Sequence, residues 1–113
     1  MPVAYVELTA NAELDLVPSP GAGKQIIIDE FNLQMFTVNL LLLSTYSARL
    51  KIKSGAGGTT AIDYPVGYLL PFIKANSVGL LLEENKALTL QKTDPAVEWA
   101  FVGWISYRVI PVL

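Results

Sequence analysis

Residues 97–110 read VEWAFVGWISYRVI, a run in which large apolar side chains recur at alternate positions. Successive side chains of a β-strand point to opposite faces of a sheet. One parity of this run carries Trp99, Phe101, Gly103, Ile105 and Tyr107, and the other carries Glu98, Ala100, Val102, Trp104, Ser106 and Arg108. We therefore predict a long strand from Val97 to Ile110, with the first set facing the core and Trp104 facing away from it.

Shorter strand-like segments fill most of the remaining chain. They combine β-branched, aromatic or alternating apolar residues, and Gly, Pro, Asn and Ser separate them. The predicted strands are Val3–Leu8, Ala12–Val17, Lys24–Met35, Ser47–Ser54, Thr59–Ile62, Tyr68–Ile73, Gly79–Leu82 and Ala87–Lys92. No long segment keeps helical spacing, so the pattern predicts an all-β protein.

Two pairs of these segments have the pattern of hairpins. The flexible turn Gly55–Gly58 joins the fourth and fifth predicted strands, and Glu83–Lys86 joins the last two. Pro65 is expected to break the chain after the strand that begins at Thr59, because proline cannot donate a ladder hydrogen bond. For the same reason Pro71 confines its own segment to a sheet edge or a bulge.

The segment Thr37–Tyr46 allows two interpretations. Its leucine-rich centre does not let periodicity separate a buried strand from a short helix. We favour a strand, because the segments on both sides are predicted as strands.

The length of 113 residues is that of one domain with one hydrophobic core, so residues 1–113 are expected to form a single unit. Many short strands separated by turns are typical of two-layer all-β folds. We predict a β-sandwich or jelly roll of about eight antiparallel strands.

The surface of this domain must be poor in charge. Charged residues make up 16% of the chain, against about 25% in ordinary soluble domains, and the mean hydropathy is +0.44. Such a composition suggests that other protein covers part of the surface, so we expect a homo-oligomer or a shell component. A membrane partner is not expected, because the apolar run Val38–Leu43 is far shorter than the roughly 20 residues of a spanning helix.

The start of the chain bears on where the protein is made, and its net charge bears on which partners it binds. Residues 1–5 lack the basic start and apolar region of a signal peptide, so we expect synthesis in the cytoplasm. The net charge of −2 and the pI near 4.9 argue against binding to nucleic acid, which usually needs a basic surface.

A row of cations, Arg49, Lys51 and Lys53, is the exception to this acidic balance. The three alternate with apolar residues, so a strand places them on one face. A solvated outer face is the ordinary explanation. The alternative is contact with an acidic partner surface.

The residues that most enzymes use are missing or badly placed. The chain has no His and no Cys, which excludes Ser-His-Asp and Cys-His catalytic systems and imidazole or thiolate metal sites. The adjacent carboxylates Asp29-Glu30 and Glu83-Glu84 point to opposite faces if they lie on strands, so neither makes a good catalytic pair. We predict no enzyme and no cofactor, and solvated charges at both pairs.

Two loops have a partial likeness to ligand-binding motifs. Residues 83–85 supply three oxygen-bearing side chains but lack the alternating ligands of a calcium loop. Residues 21–24 read GAGK, as at the end of a phosphate-binding loop, yet Pro18 stands where that motif needs glycine and Gln25 where it needs Ser or Thr. We predict a strand-entry turn there instead.

The tryptophan that faces away from the core is the best candidate for a contact residue. Core filling explains the aromatic residues on the parity of Phe101, whereas Trp104 lies on the other one. Tryptophan is enriched among the residues that dominate protein interfaces. The predicted contact residues are therefore Trp104 and the row Arg49, Lys51 and Lys53.

Five segments together resemble small β-sandwich proteins encoded among phage structural genes. They are residues 17–24, 52–55, 79–82, 85–90 and 102–107. These are turn and strand patterns, and they span most of the chain. Residues 40–43 and 68–74 depart from the pattern.

The resemblance implies a capsid decoration or cement protein, commonly a trimer seated on the capsid lattice. The expected partners are then further copies of the chain and the major capsid protein, on the exterior of the virion. Two other classes stay open from the sequence. One is a carbohydrate- or receptor-binding module of a head fibre or tail, and the other is a small hydrolase built on two carboxylates from different strands.

Overall fold

Antiparallel strands make up most of the described chain. The computed structural model describes residues 2–8, 12–37, 48–66, 72–75, 79–93 and 99–112. The strands are β1 (Val3–Leu8), β2 (Glu13–Val17), β3 (Lys24–Thr37), β4 (Ala48–Ser54), β5 (Thr59–Val66), β6 (Phe72–Ala75), β7 (Leu80–Leu81), β8 (Leu88–Thr93) and β9 (Trp99–Pro111). Segments 38–47 and 67–71 fall outside the described residues, and with them lie most of the predicted element Thr37–Tyr46 and the apolar run Val38–Leu43.

The strands form two sheets. A five-stranded sheet has the order β1-β9-β3-β6, with β7 paired to β3, and a four-stranded sheet has the order β2-β8-β4-β5. Every pairing between described strands is antiparallel. The predicted all-β sandwich is thus confirmed.

The hydrophobic core lies between the two sheets. Both sheets contribute fully buried side chains to one cluster, for example Phe31 and Ile105 from the first sheet and Leu50 and Leu90 from the second. Burying apolar area of this kind stabilises the fold by roughly 25 cal/mol per Å².

The central strand β9 has the predicted parity. Phe101 and Ile105 are fully buried and Tyr107 packs against the core, whereas Trp104 lies on the opposite face and is only partly buried. Two residues of the outward parity are buried as well, namely Ala100 and Ser106, which lies between Val3 of β1 and Glu30 of β3. The side chain of Trp99 lies outside the described part.

A β-bulge in β3 changes which residues face the core. Ile28 pairs with Tyr107 and Glu30 pairs with Ser106, so Asp29 is the extra residue of the bulge. Even-numbered residues face inward before this point and odd-numbered residues after it, as the full burial of Ile28 and Phe31 demonstrates. The bulge therefore turns the side chain of Glu30 to the outside.

The first predicted hairpin is confirmed, but Pro65 does not break its second strand. β4 and β5 pair across the turn Gly55–Gly58, and β5 continues to Val66, with Pro65 opposite Arg49. β5 is the edge strand of its sheet, where a missing N–H on the outer side costs no ladder hydrogen bond.

The second predicted hairpin is wrong. β7 pairs with β3 in one sheet, whereas β8 pairs with strands of the other sheet, so residues 83–86 cross between the layers. Each end of this crossing is tied to its own sheet. The N–H of Leu82 donates to the carbonyl of Ile26 at 2.9 Å, and the N–H of Gly55 donates to the carbonyl of Ala87 at 2.9 Å.

Candidate functional site

The outer face of the five-stranded sheet, here called the aromatic face, carries exposed apolar residues. Its apolar members are Val3, Tyr5, Ile27, Leu81, Ala100, Val102 and Trp104, and its polar members are Glu7, Asp29, Glu30, Asn32, Gln34, Lys74, Ser106 and Arg108. Tyr5 is 79% exposed, Val3 43% and Leu81 40%. Isolated exposed apolar residues are ordinary, but a set that shares one sheet face marks a surface suited to contact.

Register brings two aromatic residues together at the centre of this face. Tyr5 on β1 is the direct partner of Trp104 on β9, which in turn is opposite Asn32 on β3. Directly opposed residues of antiparallel strands have their Cβ atoms about 5 Å apart. The two aromatic side chains are therefore direct neighbours on this face.

An open hollow of about 450 Å³ lies beside these rings. Val3, Tyr5, Glu30, Trp104 and Ser106 line it. Its walls combine aromatic and aliphatic surface with one carboxylate, which is the mixture that binding sites use to hold and orient a ligand group.

The carboxylates on the aromatic face differ in their partners. Asp29, at the bulge, accepts hydrogen bonds from Arg108 Nε at 2.9 Å and from Arg108 Nη2 at 2.8 Å, and this pairing lowers the pKa of Asp29. Glu7 and Glu30 have no ion-pair partner among the described residues. The hollow therefore contains a carboxylate that is available to a ligand.

The predicted basic row lies on the other side of the molecule, on the outer face of the four-stranded sheet, here called the polar face. This face carries Glu13, Asp15, Arg49, Lys51, Lys53, Asp63, Thr89, Gln91 and Thr93. Trp104 and the basic row thus lie on opposite outer faces of the sandwich. One flat contact surface cannot include both.

Ion pairs within the chain balance the basic row. Arg49 Nη1 lies 3.2 Å from Asp63 Oδ1, and Lys53 Nζ lies 3.0 Å from Glu13 Oε1, with the Lys53 side chain only 9% exposed. Lys51 is the member without an ion-pair partner among the described residues. This compensation favours the interpretation of the row as a solvated, internally paired face.

Glu13 links three elements of the four-stranded sheet and predicts a response to acid. Its carboxylate accepts hydrogen bonds from Lys53 Nζ and from the N–H of Gly57 at 2.8 Å, and both lower its pKa below the ordinary value of 4.5. A depressed folded-state pKa means that the ionised group stabilises the fold at neutral pH and that this contribution is lost as the pH falls through the folded pKa.

We therefore expect Glu13→Gln to lower the midpoint of thermal unfolding at pH 7 and to reduce the further loss on acidification to pH 3. Circular dichroism melts at both pH values measure this. Glu7→Gln is the matched control, because it removes the same charge from an exposed residue with no ion-pair partner in the described structure. Equal pH dependence in the two variants would contradict the role assigned to Glu13.

The loop at residues 21–24 is held by the crossing at residues 83–86. The N–H of Gly21 donates to Asn85 Oδ1 at 3.0 Å, and the N–H of Gly23 donates to Glu84 Oε2 at 2.9 Å. Two N–H groups that a phosphate would need are thus bound to the chain's own oxygens, one of them a carboxylate. The sequence expectation of a strand-entry turn agrees with this arrangement.

The two adjacent carboxylate pairs, Asp29-Glu30 and Glu83-Glu84, make different contacts. Asp29 is bound to Arg108 while Glu30 lines the hollow, and Glu84 is bound to Gly23. Among the described residues, no group of three or more Asp or Glu side chains is placed to hold a metal ion.

No helix within the described ranges is long and apolar enough to cross a membrane.

Sequence reasoning found Trp104 but missed Tyr5 and Glu30. The alternation in β1, with Val6 and Leu8 buried, contained a signal that Tyr5 faces outward. No local signal indicates Glu30, because its direction depends on the bulge at Asp29.

Comparison of the chain with protein-family models, curated proteins and solved structures gives no match.

Proposed function

We propose that this chain is a structural protein without catalytic activity, which binds another protein through its aromatic face. Following the resemblance in its sequence, the proposed setting is the exterior of a phage capsid. There, homo-oligomers, with a trimer favoured, would decorate and stabilise the shell by contacting the major capsid protein.

The clustering of two aromatic and several aliphatic side chains on one outer face carries this proposal. The polar face presents charged, hydroxyl and amide side chains with internal ion pairs, whereas the aromatic face presents Tyr5 and Trp104 with aliphatic neighbours. Aromatic residues are enriched in interfaces, and their burial contributes much of the binding free energy. Many copies on a lattice add such contributions, so a modest contact per copy suffices.

One observation favours a second candidate function, a carbohydrate- or receptor-binding module of a head fibre or tail. The open hollow places two aromatic rings next to the carboxylate of Glu30. Rings of this kind can stack against a flat ligand while polar groups bind its hydroxyls. A glycan array with the purified protein tests this candidate.

The oligomeric state in solution tests the first part of the proposal. We expect light scattering at micromolar concentration to give about three times the chain mass of 12.3 kDa, because an exposed apolar face of this kind favours association. A stable monomer that gains no mass in the presence of capsid shells would contradict the proposal.

Binding to particles tests the second part. Shells of the phage that encodes the chain, assembled without it, are mixed with the purified protein and sedimented. We expect saturable co-sedimentation and a higher temperature for release of packaged DNA. Retention of a glycan with no binding to shells would replace the cement proposal by the receptor-binding one.

A further inference from the structure

We infer that the hollow on the aromatic face receives a cationic side chain, and specifically an arginine, from the surface of the partner protein. This inference rests on the proposed function, because it names the chemical group by which a protein partner engages that face.

The aromatic wall of the hollow is suited to a cation. Tyr5 and Trp104 are direct partners on neighbouring strands, with Tyr5 largely exposed and Trp104 partly buried. The faces of Trp and Tyr rings attract cations that lie within about 6 Å of the ring centre. Arginine fits best among protein cations, since its planar guanidinium stacks on aromatic rings.

The carboxylate of the hollow supplies the second half of the recognition. Glu30 lies one row along the sheet from the two rings, opposite Ser106, and has no ion-pair partner among the described residues. A guanidinium can stack on a ring and donate two parallel hydrogen bonds to a carboxylate at the same time. Covering the hollow would exclude water and strengthen this attraction.

The charge of the whole aromatic face points in the same direction. Glu7 and Glu30 are unpaired in the described structure, while Arg108, on the same face, is held by both oxygens of Asp29. Lys74, opposite Asn32, is a second cation on this face, but the three carboxylates Glu7, Asp29 and Glu30 outnumber Arg108 and Lys74. The field above the described face is therefore negative on balance, which favours a basic partner over an acidic one. A neutral sugar would use the rings but would gain little from this field.

A pair of peptides that differ in one charge provides the test. The probe is acetyl-Gly-Arg-Gly-amide, and its matched control is the same peptide with citrulline, which keeps the shape but removes the charge. We monitor the indole N–H signal of Trp104 by NMR, assigned with Trp104→Phe, during titration of each peptide. We expect a saturable shift with the arginine peptide and an affinity at least about fivefold lower for the citrulline peptide.

Two carboxylate variants locate the contact. We expect Glu30→Gln to weaken binding of the arginine peptide about three- to fivefold, because it removes the paired charge, and Glu7→Gln to change it by less than about twofold. Equal responses to the two peptides, or equal losses in the two variants, would overturn the inference. A saturable shift with free galactose or glucose, and none with the arginine peptide, would replace it by a saccharide site.

Particle binding separates this inference from the proposed function. If Trp104→Ala abolishes co-sedimentation with shells while Glu30→Gln leaves it intact, the contact face stands and the arginine inference fails. If both variants co-sediment with shells as well as the parent protein does, the proposed contact face itself is wrong.

Discussion

Gly103→Ala will destabilise the protein by roughly 3–5 kcal/mol, because a side chain at this position has no room and an unfavourable backbone. A Cβ atom on Gly103 would lie 2.0 Å from the carbonyl oxygen of Asn32 and 2.9 Å from the Cα of Leu33, and its φ is +154°. Both neighbours are backbone atoms of β3, so the two central strands of the sheet would have to separate. Small domains have a total stability of only about 5–15 kcal/mol.

Urea denaturation followed by circular dichroism measures the change in the free energy of unfolding. Gly57→Ala is the matched control, since Gly57 also has a positive φ, +70°, but nothing lies within 4 Å of its added Cβ. We expect that variant to lower the free energy of unfolding by only about 1–2 kcal/mol. If the two variants lower the free energy of unfolding equally, the close approach of β9 to β3 does not constrain the sheet.

Trp104→Ala will weaken binding to shells by about 2 kcal/mol or more, roughly 30-fold, while the chain still folds. Trp104 lies at the centre of the aromatic face, where surrounding contacts exclude water from an interface. Tyr5→Ala should act in the same direction and alter the stability of the free protein very little, because Tyr5 is 79% exposed. Sedimentation of shells with increasing protein gives the affinities, and thermal melts confirm folding.

A variant on the polar face is the control for the shell-binding experiment. It also tests the alternative that the protein contacts shells through the polar face. Lys51→Glu reverses the charge of the one member of the basic row that has no ion-pair partner in the described structure, so it disturbs no internal pair. We expect unchanged binding. If Lys51→Glu weakens binding and the parent's affinity falls with salt, while Trp104→Ala has no effect, the contact lies on the polar face.

The arrangement within single strands is predictable from the sequence. The period-2 pattern of residues 97–110 correctly placed Phe101 and Ile105 in the core and Trp104 outside it. The turn Gly55–Gly58 correctly predicted the hairpin of β4 and β5. Such features depend on neighbours a few residues apart, and side-chain alternation and turn chemistry operate over that distance.

Which strands meet is not predictable in this way. The pattern at residues 79–92 is that of a hairpin, yet its two halves lie in different sheets, because Leu82 and Ala87 are tied to partners far away in the chain. Nothing in the local sequence of a strand indicates which of the two sheets the strand joins. Burial of the whole core decides it.

The sequence by itself determined an all-β chain with few charges, a buried stripe on β9 and an outward Trp104. Only the tertiary structure decided that Tyr5 lies beside Trp104, that the bulge at Asp29 turns Glu30 into the same hollow, and that Glu13 neutralises Lys53. Each of these relations joins residues that are far apart in the chain, so it depends on strand order and register. Those follow from the free energy of packing two complete sheets together, a property that no single segment contains.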